Sequence, residues 1–184
     1  MPDVKQTISD FYRVAQERDF QRDFQFRVLN IQSGDGAFAV TEDDLVYAQG
    51  GTVPGRTIAS TDVAFMGLAF KVPGGATYGG TYELTFYSDV LTLAEVKRNY
   101  REDSLRQLFL QWTRDTFDEG TSSGNYYMPR DTSVVDLVQL DTQLNRVAQY
   151  TLVGAFPTTV GDISYNVQGS GAPVTFSVTL GYHF

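Results

Sequence analysis

Residues 172–184 read APVTFSVTLGYHF, and their alternation decides the fold class. Val174, Phe176, Val178, Leu180, Tyr182 and Phe184 are apolar, and Thr175, Ser177, Thr179, Gly181 and His183 stand between them. Successive side chains of a strand point to opposite faces, so this pattern predicts a half-buried β-strand. Terminal residues commonly fray, so a strand this regular in such a place needs something to hold it.

Working outward, "TYELTF" (81–86) repeats the pattern with Tyr82, Leu84 and Phe86 aligned. "DFQFRVLNI" (23–31) reads as a first strand with Phe24, Phe26 and Val28 on one face. "SVVDLVQL" (133–140) and "RVAQYTLVGAF" (146–156) flank "DTQLN" as a hairpin. "VAFMGLAFKV" (63–72) is apolar on both faces and is expected to be a strand buried on each side or at an interface. "GGATYGG" reads as a glycine turn, "PTTVG" as a tight connection and "DISYNV" as another strand, joined to the last one by "QGSGAP".

Two segments carry helical spacing. Val4, Ile8, Phe11, Tyr12 and Ala15 predict an amphipathic helix over Val4–Glu17. Leu105, Leu108, Phe109, Trp112 and Thr116 share a face within "EDSLRQLFLQWTRDTF". Residues 32–62 read as a long glycine- and acid-rich excursion with one strand inside. The sum is about seven strands, one long flanking helix and a short N-terminal helix. It predicts one mainly-β domain over 1–184, a sandwich or barrel.

Composition narrows the function. Hydrophobic residues at 42% against 20% charged indicate a globular chain with a real core. The aromatic share of 14% suits packed sheets or aromatic interfaces. A net charge of −8 argues against gripping nucleic acid by its phosphates. With no cysteine, disulfides, thiolate chemistry and cysteine-bound zinc are excluded. No signal peptide or membrane-spanning stretch is expected.

No catalytic constellation emerges. His183, the single histidine, reads as an exposed strand residue rather than a triad member. Glu42, Asp43 and Asp44 read as a solvated acidic loop, since a calcium site needs more converging oxygens. Asp115, Asp118 and Glu119 read as surface charge at a helix end. Tyr126, Tyr127 and Met128, in a polar loop, are candidate interface residues, or a loop folding back over the core. No catalytic residue, metal or cofactor is assigned, and a structural or binding role is the default.

Three stretches together resemble the tail tube proteins of contractile-tailed bacteriophages. "GAFPTTVGDISYNV" followed by "VTFSVTLGYHF" is similar to that family's small-residue–aromatic–proline element and two final strands. "GTVPGRTIASTDVAFMGLAFKVPG" resembles its proline-bearing loop leading into an aromatic–Met–small step, here Phe65, Met66 and Gly67. The helix carrying Trp112 follows "TYELTF" as the family's helix does, and "FYRVAQERDFQRDFQFRVLNI" is similar to the lead-in to its first strand. The segments Asp89–Glu102 and Glu119–Asp131 are longer than the family's.

The resemblance implies hexameric rings stacked into a tube inside a contractile sheath, through which genomic DNA passes without specific binding. It implies self-assembly, with tail sheath, baseplate and tape-measure proteins as partners, no membrane, and a virion location after assembly in the host cytoplasm. On that reading the last strand is held by its sheet and by the next subunit, and Gly51, Thr52, Val53, Pro54, Gly55 and Arg56 belong to a loop, 40–62, that reaches between rings. A baseplate or tail-terminator component, a type VI secretion tube protein, and a monomeric carbohydrate-binding sandwich are the alternatives.

Overall fold

A computed structural model describes residues 8–17, 20–34, 38, 40–89, 104–118, 120–124, 129 and 132–184. The elements run α1 (Ile8–Glu17), β1 (Phe26–Gln32), α2 (Glu42–Leu45), β2 (Ala48–Gly51), β3 (Arg56–Phe65), β4 (Leu68–Tyr78) and β5 (Thr81–Tyr87). They continue with α3 (Leu105–Thr116), β6 (Phe117–Asp118), β7 (Ser123–Gly124), β8 (Val134–Leu140), β9 (Arg146–Val153), β10 (Phe156–Val160) and β11 (Thr175–Gly181). Two antiparallel sheets form the body, ordered β1-β8-β9 and β10-β11-β5-β2, while β3-β4 and β6-β7 are separate two-stranded ribbons. The sheets stay open and do not close into a barrel.

The alternation of residues 174–184 places β11 inside the larger sheet, between β10 and β5. Phe176 lies opposite Phe86, Val178 opposite Leu84 and Leu180 opposite Tyr82, and all six side chains are buried. Directly opposite residues are the strongest lateral contacts of a sheet, and the Phe86 and Phe176 rings stack with centroids 5.7 Å apart. Helix α3 lays Leu105, Phe109 and Trp112 on the same core, with Phe109 5.5 Å from the Phe86 ring and Phe38 stacked on Trp112 at 4.6 Å. Its start is fixed by a capping box. The Ser104 N–H donates to Gln107 Oε1 at 3.0 Å, and the Gln107 N–H donates back to Ser104 Oγ at 3.4 Å.

The smaller sheet contributes Val28, Ile31, Val135, Leu137 and Leu152 to one shared core. A bulge between Val28 and Asn30 lets Val28 and Ile31, three residues apart, face the same side. Phe24, expected on the same face, lies in a turn ahead of β1 and is exposed.

The Tyr182 N–H still donates to the Gly80 carbonyl beside β5, at 3.3 Å, and residues 183–184 then pair with the smaller sheet. The His183 N–H donates to the Val153 carbonyl and the Val153 N–H to the Phe184 carbonyl, each at 2.9 Å. The last strand is thus held by its own chain on both edges, with no neighbour needed there. His183 is half-buried rather than exposed, with Nε2 shielded from solvent and without a hydrogen-bond partner. Its ring occupies the space a side chain would need at residue 154, and Gly154 has φ +70°.

Other expectations need correction. Residues 162–174 contain no strand, so "DISYNV" is an irregular connection, and Pro157–Val160 lie in β10 rather than in a turn. "VAFMGLAFKV" is not one buried strand but the bend of an exposed hairpin, and "GGATYGG" turns only at Gly79–Gly80. There is a third helix, α2, within residues 40–62, a region that also holds β2 and the start of β3. The N-terminal helix is described from Ile8 onward; Val4 lies outside the described residues.

Truncating Phe176 to Ala should cost about 3–5 kcal/mol in urea unfolding, while Tyr165→Ala on the exposed connection should stay within about 0.5 kcal/mol. Gly154→Ala should destabilise measurably, because a methyl group there meets the His183 ring and a positive φ.

Candidate assembly surfaces

The hairpin β3–β4 is an arm. Every residue from Arg56 to Tyr78 is exposed, although the strands are 10 and 11 residues long. At ~3.4 Å per residue the arm reaches about 34 Å. Its bend is two residues, Met66 (φ 50°) and Gly67 (φ 80°), the left-handed pair that a tight hairpin requires.

Cross-strand register shows that the distal arm has two different faces. Thr61 opposes Val72, Val63 opposes Phe70 and Phe65 opposes Leu68, which puts five apolar side chains on one face. The other face carries Ala64 opposite Ala69 and Asp62 opposite Lys71, joined by a 3.1 Å ion pair. Such two-sided patterning is normal for a strand with one face in a core. Here no core covers it: Phe65 and Leu68 are each 64% exposed and Met66 88%. An isolated two-stranded hairpin is marginal in water, so the arm lacks what usually stabilises such an element.

The expected inter-ring residues sit at the root of this arm. Gly51 ends β2, with Tyr82 Oη filling the space beside its Cα, and Thr52, Val53, Pro54 and Gly55 form the connection. Arg56 opens β3, its guanidinium 5.8 Å from the Tyr78 ring centroid. Tyr126, Tyr127 and Met128 lie outside the described residues. Sequence reading allowed an interface for residues 63–72, but not the split into two one-sided strands that puts Val63, Phe65, Leu68, Phe70 and Val72 on a single face. The signal was present as two alternating runs separated by Met-Gly, the spacing of a two-residue turn.

A second uncovered apolar surface is α1, where no residue is buried. Ile8, Phe11, Tyr12 and Ala15 form one stripe, and Arg13 pairs with Glu17 at 3.3 Å on the opposite side.

The sheet edges are unequal. β10 carries Pro157, which has no N–H to offer, and β2 is four residues long with an irregular register. Beside β1, whose Ile31 carbonyl accepts from the Val40 N–H at 3.1 Å, lies an open groove of about 470 Å³ lined by Arg27, Val28, Glu42, Asp43 and Leu45. Asp44 is not a solvated acid. It is buried and accepts from the Thr41 hydroxyl at 2.6 Å and the Thr41 N–H at 3.2 Å, capping α2. Among the described residues no cluster of three metal-ligating side chains occurs, and no helix is long and apolar enough to cross a membrane.

The family profile described as "Phage tail tube protein" matches residues 15–184. The chain belongs to the phage tail tube protein family. It is a structural tail component, of a family that is generally non-enzymatic. No curated protein matches it by sequence. Solved structures share the fold at low identity. A chain of the anti-feeding prophage baseplate is 15% identical, with a TM-score of 0.59 over 91% of this chain and 94% of that one. A chain from the PVC sheath/tube terminator of an extracellular contractile injection system is 12% identical, TM-score 0.53, over 91% and 95%. A chain from the PVC sheath-tube complex in the extended state is 11% identical, TM-score 0.51, over 98% and 96%.

Replacing residues 57–77 by a short Gly-Ser link between the paired residues Arg56 and Tyr78 removes no buried side chain. The stability of the body should change by about 0.5 kcal/mol or less in urea unfolding.

Proposed function

We propose that copies of this tail tube protein form six-fold rings that stack into the inner tube of a contractile tail, the conduit through which genomic DNA leaves. The observation that carries this reading is the arm, a long hairpin with an apolar face that its own chain leaves uncovered. Rings and stacks require heterologous contacts, in which one patch of a subunit meets a different patch of the next. An arm about 34 Å long extends past the body far enough to make one. The segment Gly51–Arg56 acts as the root from which the arm crosses between rings, and Tyr126, Tyr127 and Met128 belong to a further contact. Sheath, baseplate and tape-measure proteins are its partners in the particle, which assembles in the host cytoplasm.

The acidic balance of 22 Asp and Glu against 14 Lys and Arg suits a wall that DNA slides past. A second reading, an end-of-tube component of the same fold, is favoured by the baseplate and terminator assemblies among the similar structures. Electron microscopy of the purified protein separates the two. Open-ended tubes of varying length are the expected result; single rings or short stacks of fixed length would assign it to the end of the tube, and monomers would contradict both.

Assembled tubes should give no shift of duplex DNA in a gel at low salt, where phosphate attraction is strongest. Tight, salt-sensitive binding would show a lumen that holds DNA. A chelator and a reductant should leave the tubes intact, since the chain has no cysteine and its described residues form no cluster of three metal-ligating side chains.

A further inference from the structure

We propose that the α1 stripe of one copy packs on the apolar face of the arm of another copy, as the heterologous contact that joins subunits. The inference rests on the tube reading and specifies which surfaces meet. Two apolar surfaces stand uncovered in one chain: Ile8, Phe11, Tyr12 and Ala15 on α1, and Val63, Phe65, Leu68, Phe70 and Val72 on the arm. They differ in shape, one a convex helix and the other a flat ribbon, and a helix laid on a sheet face is a standard way to bury both.

Their dimensions agree. The α1 stripe spans about 10 Å at ~1.5 Å per residue, and the arm face from Thr61 to Phe65 spans about 14 Å at ~3.4 Å per residue. The two strands of the arm, about 4.8 Å apart, present roughly the width of one helix.

Packing two arm faces against each other would also bury them. That contact is isologous, so it closes on itself as a pair and leaves α1 bare. A helix-on-arm contact uses each surface once per subunit and leaves the next pair available, which is the condition for continuing a ring or a stack.

The native chain has no cysteine, so pairs of introduced cysteines report the contact without background. Tyr12→Cys and Phe70→Cys replace exposed residues, and circular dichroism checks that the variants fold. Mixing a Y12C chain with an F70C chain during assembly and adding mild oxidant should give a heterodimer on non-reducing gels. The double variant should give a ladder of multimers, and Y12C with K71C, on the opposite face, should cross-link at least tenfold less. Tubes visible by microscopy with no Y12C–F70C product would overturn this contact while leaving the tube reading in place. F70C dimers formed alone, or a cross-link confined to the monomer, would overturn it as well. Absence of any assembly by the native chain would overturn both.

Discussion

The body of this protein depends on one insertion, β11 between β10 and β5. Three of its side chains, Phe176, Val178 and Leu180, are almost fully buried, each opposite a buried partner on β5. Its continuation, 183–184, is hydrogen-bonded to β9 and ties the larger sheet to the smaller. The helix α3 then closes the core by laying Phe109 against Phe86. Each layer reaches the others through the residues that β11 brings to the centre. The chain thereby completes its core by pairing elements far apart in sequence.

That completeness sharpens the contrast with the arm and α1. In the body, apolar alternation coincides with burial; in the arm, the same alternation coincides with exposure. Burying an aromatic or aliphatic side chain is worth about 1.5–3 kcal/mol, so leaving five in water along one ribbon forgoes a large stabilisation unless assembly recovers it. On the proposed reading, energy withheld from folding is available for association, so the subunit would fold first and assemble second.

The sequence showed the central strands and the helix clearly because each has a pure period. β5, β11 and α3 follow alternation or heptad-like spacing without interruption. The errors fall where local geometry breaks the period. The bulge in β1 shifts its core residues to Val28 and Ile31, and Phe24 falls outside the strand. The Met66–Gly67 bend converts an apparently two-sided apolar strand into two one-sided ones, since a two-residue turn hides inside a continuous apolar run. Asp44 looked like one of three solvated acids because a capping box is a matter of side-chain direction as well as spacing. Residues 40–62 read as one long excursion, which hid that β3, opening at Arg56, runs on into the apolar stretch 63–72. Periodicity predicts that a face is covered without saying whether the cover comes from the same chain.

The central claim is that the body is complete within one chain and the arm only between chains. Amide hydrogen exchange on the dissociated protein and on its assemblies tests this directly. The account predicts that the amides of β5, β8 and β11 are protected in both states. Those of β3 and β4 should exchange quickly in the free chain and slow by at least about a hundredfold on assembly, the factor equivalent to roughly 2.7 kcal/mol. An arm already protected in the free chain, or one that stays unprotected after assembly, would contradict it.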